Sequence, residues 1–241
     1  MEIKDKIAIV TGASMGIGEA TARLLTQKGA KVALVARSKE KLKKLSKELS
    51  GSFVVICDMT DLKAIKKMVK KVVAHYQGID ILINNAGRGY DASIVDIKIN
   101  TFTDLFNLDL VGPLICMQEV IPVMKKKGKG AIINISSGTA LMALPNMAAY
   151  SSLKRALVGI SLTAREELKS DNISVGVVYP FITATDFEKN TIRSKKSSGF
   201  EQNEERNIPS ADSADFLAEK IVKGIETEEA EILAHDWMKN R

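Results

Sequence analysis

The sequence predicts an α/β fold in which a doubly wound parallel sheet of about seven strands carries helices on both faces. Three observations predict it. Seven short runs rich in Val, Ile and Ala recur along the 241 residues, and near-continuous apolar runs of this length suit strands buried on both faces. The segments between the first six are mostly helical in period, and strand alternating with helix argues for a parallel sheet covered on both sides. The first run passes straight into a glycine-rich turn that opens a helix.

The elements follow in order. "KIAIVTG" (Lys6–Gly12) is the first strand, and "GEATARLLTQKG" is a helix that closes with Gly29 beyond its last turn. "KVALVAR" (Lys31–Arg37), "SFVVICD" (Ser52–Asp58) and "IDILINN" (Ile79–Asn85) are the next three strands. Between them, Ser38–Leu49 and Asp61–Val73 read as amphipathic helices with their lysines on the polar face. A long helical stretch covers Asn100–Lys127, and Pro122 is expected to kink or split it. "GAIINISS" (Gly130–Ser137), "ISVGVVYP" (Ile173–Pro180) and "AEILAHD" (Ala230–Asp236) complete the strands. Right-handed crossovers limit the topologies. The polar, Ser- and Glu-rich stretch Asp186–Ser213 breaks the rhythm and is long for a loop, as lids or disordered segments are. With no low-complexity linker and no repeat of fixed period, residues 1–241 read as one domain with a substrate lid at about 186–213.

Composition excludes several classes. The hydrophobic share of 45% against 27% charged describes a soluble globular chain with a sizeable core. No run approaches the ~18–20 apolar residues of a membrane span, and the N-terminus enters a strand too soon for a signal peptide. Cys57 and Cys116 form no spaced motif, and with only His75 and His235 no metal site is expected. A reduced, cytoplasmic protein is the expectation. The net charge of +6 is carried by lysines on the polar faces of helices, and aromatics are only 5%. That argues against nucleic acid, while a modest positive field suits an anionic cofactor.

The glycine turn is "TGASMGIGEA" (Thr11–Ala20). Gly12, Gly16 and Gly18 stand between strand and helix, with Ser14, Met15 and Ile17 among them. Glycine lets the backbone approach a diphosphate, and the helix N-terminus offers free N–H groups and a positive dipole end. The spacing is GxxxGxG rather than GxGxxG; the alternative is a tight turn without a ligand. An acidic residue after the second strand would select NAD through the ribose 2′-hydroxyl. This chain has Arg37 and Ser38 there instead. An arginine takes a 2′-phosphate through charge-assisted bonds, so NADP(H) is preferred and NAD(H) remains possible. Alternatively, Arg37 and Lys39 are solvated residues at a helix start. Asp58, followed by Met59, is placed to accept from the adenine amino group, or else to cap the next helix as Asp61 does in the alternative.

"YSSLK" sets Tyr150 and Lys154 four residues apart on one helical face. A phenol titrates near ~10 and an ammonium near ~10.4. Placed together, the lysine favours the phenolate and makes a general acid or base useful near neutrality. The alternative is an ordinary i,i+4 surface pair.

Taken together, these residues resemble the short-chain dehydrogenase/reductase family, from Lys6 to about Asp236. The resemblance rests on "TGxxxGIG" at Thr11–Gly18, "DMT" at Asp58, "NNAG" at Asn84–Gly87, Ser137, and "YxxxK" at Tyr150–Lys154. It implies a Rossmann-like sheet of order 3-2-1-4-5-6-7 and hydride transfer between a nicotinamide and a carbonyl or alcohol carbon. It implies that Ser137 polarises the substrate oxygen and that Tyr150 exchanges the proton. Lys154 would hold the nicotinamide ribose and lower the Tyr150 pKa. Asn85, Ala86 and Gly87 would line the adenosine side. Pro180, Thr183 and Thr185 would face the nicotinamide carboxamide and phosphates, Thr185 more directly.

The chain departs from the family twice. Asp109 stands where an asparagine is usual, and it either pairs with Lys154 and shifts the pH profile or is a tolerated substitute; it is counted with the catalytic group. Phe181 stands where a glycine usually follows Pro180, and it either narrows the active site or packs in the core. The C-terminus lacks the glycine-rich tail associated with ketoacyl reductases, which argues against an acyl-carrier substrate. Arg193, Lys195 and Lys196 either attract an anionic substrate or form a solvated loop. The expected function is an NADP(H)-dependent carbonyl reductase with a small-molecule carbonyl or alcohol substrate. The alternatives are an NAD-dependent alcohol dehydrogenase and a non-catalytic NADP-binding sensor. No nucleic acid or membrane partner is expected, and the resemblance implies a homodimer or homotetramer, through the helices equivalent to Asn100–Lys127 and Tyr150–Lys169. "ALMALPNMAA" (Ala140–Ala149) suggests an apolar pocket with flexible methionines.

Overall fold

The computed structural model describes residues 1–194 and 210–240. Nine strands follow in chain order: β1 Ile7–Thr11, β2 Lys31–Ala36, β3 Phe53–Ile56, β4 Ile81–Asn84, β5 Tyr90–Asp91, β6 Gly130–Ile135, β7 Ile173–Tyr179, β8 Ile192–Arg193 and β9 Glu231–Leu233. Seven of them form one parallel sheet of order β3-β2-β1-β4-β6-β7-β9. With the short β5 and β8 set aside, that is the expected order 3-2-1-4-5-6-7. Two-residue strands carry no period, so β5 and β8 left no sequence signal.

The helices are α1 Gly16–Gln27, α2 Lys39–Glu48, α3 Leu62–Tyr76, α4 Ile99–Phe106, α5 Gly112–Lys127, α6 Ala148–Leu168, α7 Phe187–Asn190 and α8 Ala214–Thr227. Successive strand side chains point to opposite faces, and both faces here are dry. Ala8, Val10, Ile81 and Ile83 pack into one core with Leu25, Leu42 and Ile221. Ile9 and Leu82 pack into the other with Ile65, Val69, Val120 and Met124. The lysines of α2 and α3 lie away from these cores; the residues those helices bury are Leu42 and Leu45, and Ile65, Met68, Val69 and Val72.

The long helical stretch is continuous over Ile99–Lys127, but its irregularity is not where proline suggested. Pro122 lies inside α5 without ending it, and the register changes at a π-helical turn over Asn107–Val111. By length and mean hydropathy alone, 1.3 in its most apolar window, this run would pass for a membrane span. Its apolar face is spent on the second core, where Ile115, Cys116, Met117, Val120 and Met124 are buried.

A buried polar chain pins the sheet to the helices that carry the site. The Asn84 amide donates to Asn134 Oδ1 at 2.8 Å and to the Pro113 carbonyl at 3.3 Å, at the start of α5. Asn134 Nδ2 donates to Ser161 Oγ at 2.8 Å, on α6. The lid region is partly described. Its first part folds as α7 and β8, and β8 pairs in parallel with β5. Its return is tied by a bridge between Thr183 and Asp212, and Asp212 Oδ2 meets His235 Nε2 at 2.9 Å. Residues 195–209, with Lys195 and Lys196 of the basic cluster, lie outside the described residues. Arg193 pairs with Glu188 at 3.1 Å.

Candidate active site

The site lies at the carboxyl edge of the sheet, where open parallel sheets bind ligands. β6 ends in Ile135, and the next two serines diverge. Ser136 Oγ turns back to donate to the Lys154 carbonyl at 3.0 Å. Ser137 caps a 3₁₀ turn over Gly138–Ala140, its hydroxyl accepting from Thr139 N at 3.2 Å. Beside it stands Tyr150, buried in the first turn of α6. The Ser137 side chain acts on the phenol and lowers it, and the Lys154 ammonium lies 5.6 Å from the ring centroid. The Arg155 guanidinium donates to the carbonyls of Ala140 and Met142, both at 2.8 Å, and so fixes the turn above the serine. Phe187 of α7 lies 6.0 Å from the Tyr150 ring, centre to centre.

Lys154 is not free. Its Nζ lies 2.8 Å from Asp109 Oδ1 and 3.0 Å from the Ile135 carbonyl. Asp109 is wholly buried in the π-helical turn, and its Oδ2 accepts from Arg88 N at 3.3 Å. Burial lifts the Asp109 carboxyl above the usual carboxylate range, and Lys154 and Arg88 pull it back only in part. Burial alone would lower Lys154, but Asp109 outweighs it and the lysine is raised. The 2.8 Å contact and the second N–H donor favour the ion pair, because an ammonium this deeply buried needs a counter-charge. Burial also pushes the Tyr150 phenol up; Lys154 lowers it, Asp109 raises it, and the net direction is upward. Lys154 does lower the phenol, as expected, but burial, the largest influence, together with Asp109 leaves the net direction upward.

The glycine turn joins β1 to α1. Gly12 and Gly16 take positive φ values of 67° and 56°, which glycine adopts without strain. A Cβ on Gly12 would meet Asn85 Nδ2 at 2.7 Å, and one on Gly16 would meet Thr185 Cγ2 at 3.1 Å. Asn85 does not present its amide to the groove. The amide donates to the carbonyls of Thr11 at 3.0 Å and Gly12 at 3.4 Å, so the residue braces the turn. Thr11 Oγ1 adds to this by accepting from Asn85 N and Ala86 N at 3.0 and 3.1 Å. Gly87 faces the Lys154–Asp109 pair: a Cβ there would lie 2.7 Å from Asp109 Oδ1 and 3.3 Å from Lys154 Nζ.

At the far end, Arg37 is 70% exposed and reaches Asp58 Oδ2 at 3.9 Å. Asp58 Oδ1 accepts from Thr60 N and Oγ1 at 2.9 and 2.8 Å, which ties its own turn, while Asp61 caps α3. Burial would raise the Asp58 carboxyl, but the Thr60 bonds and the charges of Arg37 and Arg88 bring it below the usual range. Ser38 is the N-cap of α2, without a side-chain capping bond. Thr185 sits over Gly16, and its Oγ1 accepts from Phe187 N at 3.3 Å. Thr183 Oγ1 donates to the Phe181 carbonyl at 3.0 Å. Phe181 itself packs edge-on against Trp237 with 5.0 Å between ring centres. A cavity of about 790 Å³ lined by Ser14, Met15, Gly16, Lys41, Lys44 and Thr185 adjoins the turn. Ser137, Tyr150 and Lys154 do not line it.

Arg88 is the residue that sequence reasoning missed. Its charge reaches both Asp58 and Asp109, and its Nε is buried without a hydrogen-bond partner among the described residues. The signal was present, a charged side chain directly after "NNAG", but only the fold shows that its backbone N–H meets Asp109.

A family model described as short chain dehydrogenase matches residues 6–196. The chain belongs to this family. The short-chain dehydrogenase is 37% identical over 184 residues to the 3-oxoacyl-[acyl-carrier-protein] reductase of Thermotoga maritima, covering 75% of each chain. It is 32% identical over 191 residues to an uncharacterised oxidoreductase of Staphylococcus epidermidis, covering 79% of this chain and 83% of that one. Among solved structures, a short-chain dehydrogenase from Streptomyces avermitilis superposes with a TM-score of 0.88 at 26% identity, covering all of this chain and 91% of the other. An alcohol dehydrogenase from Thermococcus sibiricus, complexed with 5-hydroxy-NADP, shares the fold at a TM-score of 0.82 and 24% identity, covering 95% of this chain and 96% of that one. The short-chain dehydrogenase is an oxidoreductase with the nucleotide-binding sheet of its family.

The residues present fit a dinucleotide. α1 starts at Gly16 with no side-chain cap on Met15, so its first N–H groups are open to an anion. The orphaned Arg88 Nε is a second donor that a ligand would satisfy.

Proposed function

We propose that this short-chain dehydrogenase is an NADP(H)-dependent carbonyl reductase acting on a ketone or aldehyde, with Tyr150 as its acid. The observation that supports it best is the meeting of Ser137, Tyr150 and Lys154 at the sheet edge whose glycine turn leads into an uncapped helix. The cofactor, when bound, supplies the hydride. The protein's own residues do the rest. Ser137 holds the substrate oxygen, and the Tyr150 phenol gives that oxygen its proton. Lys154 positions the nicotinamide ribose and holds positive charge near the phenol. The main chain of Gly12, Ser14, Met15, Gly16, Ile17 and Gly18 receives the diphosphate. Asp58 and Met59 bound the adenine, with Ala86 and Gly87 beneath the adenosine. Pro180, Thr183 and Thr185 face the nicotinamide half.

The preference for NADP(H) is supported by charge. β2 is followed by Arg37, Ser38 and Lys39, with no carboxylate there to repel a 2′-phosphate. Arg37 and Arg88 both act on Asp58, so the adenosine end carries two guanidinium groups against one carboxylate. The substrate is a small molecule, the setting is the reducing cytoplasm in which Cys57 and Cys116 stay as free thiols, and the protein is a homo-oligomer.

NADPH and NADH oxidation against aldehydes, ketones, diketones, ketoacyl thioesters and steroids, with cofactor binding by fluorescence alongside, tests the reading. NADPH-dependent turnover of a panel member is the expected result. NADH-dependent turnover with NADPH excluded would overturn the cofactor preference, and binding of neither cofactor would overturn the function.

A further inference from the structure

We propose that Asp109 is a positioning residue that holds Lys154 in a buried, neutral ion pair. It thereby sets Tyr150 to give a proton to a carbonyl oxygen, rather than to take one from an alcohol, at neutral pH. This rests on the reductase reading and adds a working direction to it.

The placement is built, not incidental. The π-helical turn Asn107–Val111 interrupts a long α-helix, and such an inserted residue rotates the downstream helix by about 100°. Within that turn Asp109 has no solvent exposure, and Oδ1 lies 2.8 Å from Lys154 Nζ. Gly87 leaves the space for the pair, since a side chain there would strike both partners. The Asn84–Asn134–Ser161 chain ties the sheet to α6 and to the start of α5, holding the two helical segments in register. A buried ion pair costs desolvation and is weak evidence for stability; its location next to the phenol points to function.

Burial already favours the protonated phenol, and Asp109 adds to it by opposing the lysine's charge. A lone ammonium beside a phenol favours phenolate. An ammonium matched by a carboxylate is neutral as a unit, and the carboxylate opposes phenolate. The polar and charged groups acting on the three residues come from every neighbouring element: Lys154 from α6, Asp109 from the π turn, Arg88 from the loop after β4, the Ile135 carbonyl from the end of β6, and Ser137 from the cap of the 3₁₀ turn that follows it. Phe187 of α7 adds an apolar face. In reduction the reduced nicotinamide, when bound, would supply hydride to the carbonyl carbon and be oxidised. The oxygen gains the Tyr150 proton, and solvent returns a proton to the phenolate. A phenol that stays protonated serves this stroke over a wide pH range, whereas oxidation needs the phenolate first.

Asp109→Asn keeps the shape and removes the charge. The first readout needs no substrate: phenolate absorbance of the unliganded protein through alkaline pH, with the Tyr150 step assigned by its loss in Tyr150→Phe. In Asp109→Asn, where the Ile135 carbonyl still accepts from Lys154, that step is expected about one pH unit or more lower, a tenfold or greater change in the phenolate ratio; a step that moves higher means that Lys154 gives up its proton without its counter-charge, and overturns the proposed direction. The alkaline limb of carbonyl reduction is expected to move down with it, and alcohol oxidation to begin at lower pH. An unmoved Tyr150 step overturns the proposal. A moved step without turnover on any carbonyl sustains the pairing and overturns the reductase reading instead. Should the variant not fold, the unmodified protein decides: carboxyl ¹³C NMR is expected to find Asp109 ionised at pH 7, and a protonated Asp109 overturns the ion pair.

Discussion

Tyr150 and Lys154 lie one helical turn apart, and what the lysine does to the phenol depends on a third residue from a distant part of the chain. Tyr150→Phe removes the proposed acid and keeps the ring. Carbonyl turnover should fall at least ~100-fold, the scale of a positioned proton donor, while NADPH fluorescence binding stays near normal. Near-normal turnover would remove Tyr150 from the proton step. Arg37 is exposed and 3.9 Å from Asp58, so Arg37→Asp replaces attraction for a 2′-phosphate by repulsion without disturbing a core. The ratio of kcat/KM for NADPH to that for NADH should drop by at least about tenfold, the equivalent of about 1.4 kcal/mol. An unchanged ratio would leave Arg88, and not Arg37, as the phosphate ligand.

The elements matter through how they are pinned. In the glycine turn, a methyl group on Gly18 would run into the Gly12 carbonyl and the Asn85 amide. Gly18→Ala should therefore shift the turn, cost about 1–3 kcal/mol as overpacking does, and weaken cofactor binding. Equal unfolding midpoints and equal cofactor Kd values in both proteins would show that the turn yields freely. Between the sheet and α6, Asn134 is the middle of the buried chain from Asn84 to Ser161. Asn134→Ala leaves both neighbours short of a partner, and an unmet buried polar group costs about 1–3 kcal/mol. Urea unfolding should show a loss in that range, and a loss under about 0.5 kcal/mol would mean that the neighbours re-pair.

For the whole molecule, the exposed apolar side chains are the informative surface. Ile94, Val95 and Ile99 stand 74%, 87% and 71% exposed at the start of the long helical run. They stand at the start of the helix through which the proposed oligomer would form, and exposed apolar surface of this kind is what such an interface would cover. Sedimentation at micromolar concentration should find a dimer or tetramer, and Val95→Glu with Ile99→Glu should shift it toward monomer. A monomer in the unmodified protein would contradict the oligomer.

Much of the fold was legible in the sequence, because hydrophobic period is local. Seven apolar runs gave the sheet, and Gly12, Gly16 and Gly18 gave the turn, since backbone geometry at those points admits little else. Ser137, Tyr150 and Lys154 were legible through their spacing. The tertiary structure alone decided the rest. That the Asn85 amide braces the glycine turn had no signal in the sequence, and Asp109 stood between two readings until the π turn placed it 2.8 Å from Lys154. Pro122 was expected to break a helix that instead changes register at Asn107–Val111. Arg88 carried no periodic signal at all. The physical reason is common to these cases. Local sequence determines which way a chain turns and which faces it buries, whereas the charge state of a buried group depends on what the fold brings within a few ångströms of it.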